Sequence, residues 1–238
     1  MLADHVCRAL FSGNAAAGFI RLSAGRIAFP LFAFMVVRGF LYTRSRLKYA
    51  LSMLAAALAS EVIYDRLFYR KLFYWKNQNV IFLLLLALIM LCVMQKIEDL
   101  LKSRYDMIPA ENVLSQKEND QAPVRGVLQR PEAVFILQAV TAAVFGAAAY
   151  FLKLDYSFWG IFVVAVFYFF RGAPFYVGGV LACLLLAAGY GTYGAFLAVI
   201  PLFFYKEARG RLSAAGKYAF YVFYPAHLAL LMAVRAVI

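Results

Sequence analysis

Near-continuous apolar runs recur along almost the whole chain, and this pattern limits what it can fold into. They fall at Ile27–Tyr42, Leu47–Tyr64, Val80–Met94, Ala133–Leu152, Tyr156–Phe170, Phe175–Tyr190, Ala195–Tyr205 and Tyr218–Val234. Lipid offers the backbone no hydrogen-bond partner, so a segment buried in it closes its own bonds as a helix or joins a closed barrel. Barrel strands alternate apolar and polar residues, whereas these runs are unbroken. The chain therefore reads as all-α, a polytopic integral membrane helical bundle with about eight transmembrane helices. Several runs are shorter than the ~20 residues of a full span, and flanking Tyr, Trp and Lys extend them into the interface. Composition agrees: 65% of residues are hydrophobic and mean hydropathy is +0.76. No stretch has the charged n-region and small-residue cleavage site of a signal peptide.

The formal net charge is +12. In a soluble protein that excess would point to nucleic acid. Here the Lys and Arg residues sit mainly between apolar runs, where they face anionic headgroups. The expected partner is the lipid bilayer, with no nucleic acid. Arg44, Arg46 and Lys48, the polar stretch Gln95–Glu132, Arg171, and Lys206–Lys217 all fall on one side of an eight-span chain, which places that side in the cytoplasm. Asp65–Asn77 runs mildly against this, with Arg66, Arg70, Lys71 and Lys76 on the opposite face. The whole of 1–238 reads as a single membrane domain with a polar cytoplasmic loop at about 96–132. Cys7, Cys92 and Cys183 lack zinc or disulfide spacing, so they read as packing residues and no metal site is expected. Phosphate loop, nucleophile elbow and zinc-protease helix are all missing. Any chemistry has to come from buried His, Asp, Glu and Arg.

Few such groups are available. Asp4 and His5 lie in a half-length apolar piece, Leu2–Phe11, which is too short to span and reads as the end of a helix whose first half is absent. A carboxylate beside an imidazole is costly there unless paired or functional; a frayed terminus is the bland alternative. Arg26 precedes the first full run. Glu61 and Asp65 share one helical face near the end of the second. They can share a proton, hold a cation, or pair with Arg26, Arg66 or Arg70 to fix helix packing. Gln78 and Asn79 open the third run, where N-capping by Asn77 or Asn79 is the ordinary role. Asp155 and Tyr156 head the fifth, where a carboxylate is also a dipole partner. His227, in the last run, is equally readable as a satisfied core residue.

Several motifs resemble the TraX family. They are Gly25–Phe34 (GRIAFPLFAF), Gly39–Phe40, Thr43–Arg46 (TRSR) with Lys48–Tyr49, Ala59–Asp65 (ASEVIYD), Gln78–Val80, Asp155–Gly160 (DYSFWG) and Lys217–His227 (KYAFYVFYPAH). They run nearly end to end and keep their order. The resemblance implies a multi-pass acetyltransferase of the bacterial cytoplasmic (inner) membrane, with acetyl-CoA as acyl donor and no metal. It also implies a pilin-like peptide as acceptor, with a glycan or lipid acceptor still open. In TraX-like chains the first helix typically ends in an Asp-His pair, which Asp4 and His5 match. On that footing His5, oriented by Asp4, is the expected base. Arg26 is expected to hold the donor's phosphate or the oxyanion, and Glu61 to join them in catalysis. Asp65, Gln78, Asn79, Asp155, Tyr156 and His227 are expected to bind substrate. An alternative from another class is a proton-coupled transporter of a small solute using Glu61, Asp65 and Asp155 as a relay. Repeated halves with broken helices would support it, and none is visible. A third reading is a non-catalytic membrane assembly protein.

Overall fold

In a computed structural model, residues 1–11, 13–106, 131–206 and 214–237 are described. They are helical throughout, apart from turns and one isolated bridge. The helices are α1 (Leu2–Leu10), α2 (Ala15–Leu22), α3 (Ala28–Tyr42), α4 (Arg46–Tyr69), α5 (Val80–Asp106), α6 (Pro131–Phe151), α7 (Ser157–Phe169), α8 (Phe175–Tyr190), α9 (Val199–Phe203) and α10 (Ala214–Val237). Short 3-10 turns at Ala24–Ile27 and Tyr193–Ala198 join α2 to α3 and α8 to α9.

Among the described residues, four segments are long and apolar enough to cross a membrane: Ala15–Tyr42, Arg46–Tyr69, Val80–Ser103 and Glu132–Phe151. The apolar helices at Ser157–Phe169, Phe175–Tyr190, Tyr193–Phe203 and Tyr221–Val237 are shorter. The first crossing starts well before Ile27, where the sequence pattern placed it. Asn14 caps α2, its Oδ1 accepting from the N–H groups of Ala16 and Ala17 at 2.8 and 3.3 Å. The chain then passes through the 3-10 turn into α3. The polar stretch also begins later than expected, because α5 continues to Asp106. Two pairs four residues apart, Gln95 with Asp99 at 2.9 Å and Lys102 with Glu98 at 2.7 Å, support this outer part of the helix. The rest of the expected loop, 107–130, and most of the Lys206–Lys217 turn lie outside the described residues.

Apolar packing forms two bodies. The larger joins α3, α5, α7 and α8 around Phe29, Ala33, Phe40, Leu83, Leu88, Leu91, Ile161 and Val164. The smaller joins α1, α4 and α10 through Ala9, Tyr64, Leu67, Tyr224, Leu228 and Leu231. This second body brings the two ends of the chain together. Helix α10 runs through Pro225, which has no N–H to give the turn before it, a known way to loosen a helix locally.

The turn between α6 and α7 is strained. Lys153, Tyr156 and Ser157 all have positive φ, at 57, 60 and 47°, and none is glycine. A left-handed conformation costs an ordinary residue roughly 1–2 kcal/mol, and such outliers cluster where surrounding structure fixes a functional segment. This turn is pinned by a short parallel bridge: Gln78 N–H donates to Lys153 O at 3.1 Å, and Asp155 N–H to Gln78 O at 3.2 Å.

Candidate active site

Polar groups collect where α4 ends and α5 begins, at the end of the bundle opposite the Thr43–Ser45 turn. Helix α1 is too short to span and lies against α4, α10 and the Ala24–Ile27 turn. Its register fixes the site, because Asp4, His5 and Arg8 point to three different partners.

His5 and His227 are buried and meet edge to edge, with His5 Nδ1 2.8 Å from His227 Nε2, the ring planes within 3° of each other and the centroids 5.1 Å apart. The other nitrogen of His227, Nδ1, lies 2.9 Å from Phe223 O. A carbonyl only accepts, so His227 Nδ1 carries the hydrogen. In a neutral imidazole Nε2 is then the acceptor, and His5 donates to it from Nδ1. That leaves His5 Nε2 with a bare lone pair. Tyr64 and Tyr224 meet the His5 ring edge-on at 6.4 and 5.8 Å between centroids, and Phe68 lies tilted at 5.5 Å. Burial, with the neighbouring His227 and Arg8, holds His5 well below its ordinary pKa, to about 3. The imidazole is therefore neutral across the physiological range.

Asp4 turns the other way. It packs so closely on Gly25 that a Cβ there would sit 2.9 Å from Asp4 Cβ and 3.1 Å from its Oδ1. Asp4 thus joins Arg26, Asp155 and Tyr156 in one electrostatic group. The Arg26 guanidinium lies 5.2 Å over the Tyr156 ring and 5.6 Å over Tyr190, and Tyr156 stacks on Phe29 at 3.9 Å. The Nε of Arg26 is buried without a hydrogen-bond partner among the described residues. Asp155 accepts from Tyr156 N–H at 3.0 Å. Burial pushes its carboxyl above the usual range, against the pull of Arg26 and Arg8. The expected orientation of His5 by Asp4 is replaced by His227.

Glu61 and Asp65 are both buried on α4. Glu61 Oε2 accepts from Asn79 N–H at 3.0 Å and from Asn79 Nδ2 at 2.6 Å; Asn79 Nδ2 also reaches Ala57 O at 2.9 Å. Asp65 Oδ2 accepts from Tyr74 N–H at 2.6 Å. The second oxygen of each, Glu61 Oε1 and Asp65 Oδ1, is buried with no partner among the described residues. Asn79 does cap α5, its Oδ1 accepting from Ile81 N–H at 2.9 Å, and it clamps Glu61 as well. Neither carboxylate is ion-paired to Arg26, Arg66 or Arg70 among the described residues. Gln78 contributes mainly backbone, through the bridge to 153–155, and its side chain donates to Tyr74 O at 3.4 Å.

Sequence reasoning gave no site role to Arg8, Tyr64, Tyr69 or Tyr224, and read Asn77 only as a capping candidate. Arg8 Nη1 donates to Tyr64 Oη at 3.0 Å and Nη2 to Tyr69 Oη at 2.8 Å, while Arg8 stacks 4.2 Å over Phe68. Asn77 Nδ2 donates to the same two phenols, at 3.1 and 2.7 Å. The signal available was spacing: Glu61, Tyr64, Asp65 and Phe68 share one face of α4, and Arg8 follows His5 on one face of α1. Among the described residues no group of His, Cys, Asp and Glu is arranged to hold a metal.

These features define a polytopic α-helical membrane protein with a buried histidine pair beside a polar cluster at one end of the bundle. The family model described as "TraX protein" matches residues 1–235, and the chain belongs to the TraX family. Comparisons with curated proteins and with solved structures gave no match.

Proposed function

We propose that this TraX-family protein is an acetyltransferase of the bacterial cytoplasmic membrane, with acetyl-CoA as donor and His5 as general base. The acceptor it fits best is an amine, on a pilin-like peptide or on a glycan or lipid. One observation carries the reading: the Phe223–His227–His5 relay leaves His5 Nε2 without a partner among the described residues, in an aromatic setting beside the polar cluster. A positioned base whose far nitrogen is held by a second group is the arrangement proton abstraction needs. In the reaction the acceptor nitrogen bonds to the acetyl carbon and its proton passes to His5 Nε2. The carbon–sulfur bond then breaks, and the departing thiolate takes that proton back. Arg26, a fixed cation with a free Nε, suits a phosphate of the donor. Glu61 and Asp65, each with a free buried oxygen, suit the cationic acceptor before it loses its proton.

Release of CoA thiol by the purified protein tests this, read with a thiol-reactive dye against the background of Cys7, Cys92 and Cys183. Acceptors supplied in turn are a peptide with a free amino terminus, an aminosugar and an aminophospholipid. His5→Ala should lower the rate by about 10²-fold or more, the scale for losing a general base. A folded His5→Ala protein working at the parental rate means the assignment is wrong.

A further inference from the structure

Cations and bare aromatic side chains crowd the site-bearing end of the bundle. Between the last turn of α4 and the start of α5, Arg66, Arg70, Lys71 and Lys76 are exposed, together with Leu72, Phe73 and Trp75. At the α6–α7 turn Lys153 is exposed beside Tyr150, Phe151 and Leu152. The barest rings are Phe73, Trp75 and Phe151, at 64, 79 and 77%. The Gln78–Leu154 bridge joins the two turns into one rim. This rim is fixed from beneath: Tyr74, half-buried between Phe73 and Trp75, stacks on Tyr69 at 4.0 Å and gives its N–H to Asp65 at 2.6 Å. Lys71 Nζ lies 5.6 Å over the Tyr74 ring and Lys153 Nζ 5.1 Å over Tyr150.

The charge at this rim has no internal use. None of the five cations is ion-paired among the described residues. Arg66–Asn79 contains no acid, and Asp155, beside Lys153, is half-buried in the Arg26 group. Arg70 and Lys153 stand at positive φ, 56 and 57°. Glycine takes that conformation without strain and is the common residue at such helix ends, yet a cation holds each position. Orientation does not account for them either: with Arg44, Arg46 and Lys48 on the cytoplasmic side, this rim is on the far side, where Lys and Arg are ordinarily sparse. Helix length sets its depth. The 24 residues of α4 cover about 36 Å and the 21 of α6 about 32 Å, against ~30 Å of hydrocarbon. Their ends reach the headgroup layer, where belts of Trp and Tyr lie. Bare rings at that depth favour a lipid over an acidic polypeptide as the partner of the cations.

We infer that the 70–76 and 150–153 turns form one binding surface for anionic phospholipid. The cations hold the phosphate-bearing headgroup, and Phe73, Trp75 and Phe151 lie against the upper ends of the acyl chains. Each Lys or Arg beside an anionic surface strengthens the attraction about fivefold. This surface is independent of the acyl-transfer reading, and its test needs no turnover.

Trp75 reports the contact. The chain has two tryptophans, so Trp159→Phe leaves Trp75 as the single indole. The full-length protein is placed in phosphatidylcholine vesicles containing phospholipid brominated on its acyl chains, which quenches an indole it touches. The brominated lipid carries either a choline or a glycerol headgroup, at the same mole fraction. Brominated phosphatidylglycerol should be enriched at Trp75 about fivefold or more over brominated phosphatidylcholine. The preference should shrink as salt rises from about 0.01 to 1 M and the screening length falls from about 30 to 3 Å. Lys71→Gln, Lys76→Gln and Lys153→Gln together should bring the preference close to one while both lipids still quench Trp75. If Trp159→Phe fails to reach the membrane, the difference in emission between the parent and Trp75→Phe gives the same signal. Equal quenching by the two headgroups in the parent overturns the inference, as does a preference that the triple variant retains. Trp75 untouched by either lipid, with the emission of an indole in water, also overturns it and makes an acidic polypeptide the partner to seek.

Discussion

Replacing His227 tests the relay most directly. His5 Nδ1 and His227 Nε2 are 2.8 Å apart, and the two residues are only 7 and 6% exposed. His227→Phe keeps a flat ring in the same plane, edge to edge with His5, and the contact with Phe223 at 5.2 Å, but removes the one acceptor that the described residues offer His5 Nδ1–H. Leaving that donor unsatisfied costs about 1–3 kcal/mol. The same energy is what holds His5 in the tautomer with a bare Nε2, and each 1.4 kcal/mol is tenfold in an equilibrium. Turnover should therefore fall roughly 5- to 150-fold, with KM for acetyl-CoA unchanged because His227 makes no donor contact in this scheme. His227→Gln offers a carbonyl that accepts from Nδ1–H, and should recover to within about tenfold of the parent. The assay is CoA-thiol release by purified protein, with thermal unfolding in detergent confirming that each variant is folded. If folded His227→Phe turns over at the parental rate, or Gln is no better than Phe, His227 does not set the His5 tautomer and the base assignment loses its main support.

Gly25→Ala should displace α1, because its Cβ would lie 2.9 Å from Asp4 Cβ; a cost of about 1–3 kcal/mol in unfolding measurements and a loss of thiol release are expected. Asp4→Gly alongside it removes that Cβ and should return part of the stability, and a double variant no better than the single would show that the contact is not the cause. Acidification supplies a further measurement: the folded pKa of His5 lies below its unfolded value of 6.5, so the unfolded chain binds the proton first. The His5 contribution to stability is complete above about pH 6.5 and is lost as pH falls toward 3; the unfolding midpoint should drop between pH 7 and 4.5, and less steeply in His5→Gln.

The helical bundle was legible because lipid leaves a chain so few choices, and unbroken apolar runs say which one it takes. Boundaries were less so. The expected span at Ile27 begins at Ala15, since Asn14 caps a helix that the pattern of apolar residues did not separate from its flanking turn. The helix through Gln95–Asp106 was hidden because charged residues read as loop, although their spacing four apart is a helix signal. Among the site residues, the ionisable ones stood out by cost: a charge in an apolar run has to be explained, and Asp4, His5, Arg26, Glu61, Asp65 and Asp155 do gather at one end of the bundle.

Partner identity did not follow from cost. Asp4 is bonded in sequence to His5, yet successive residues on a helix point about 100° apart, so neighbours in the chain seldom face one another. The partner of His5 comes from 222 residues away, on the last helix, and nothing local to either histidine announces the other. Tyr64 and Tyr69 were hidden by the opposite effect. Phenols are common at membrane interfaces, so each looked ordinary among 16 tyrosines. Only the geometry of Arg8 and Asn77, both bonded to both phenols, sets these two apart. Helix α1 is the element on which this all depends. It contributes Asp4 to the Arg26 group and, from another face, His5 to the relay and Arg8 to the phenols, all from one short helix docked on α4 and α10. A displacement of α1 therefore perturbs the three groups together, which is why Gly25→Ala, remote from both histidines in its contacts, is expected to abolish activity rather than merely lower stability.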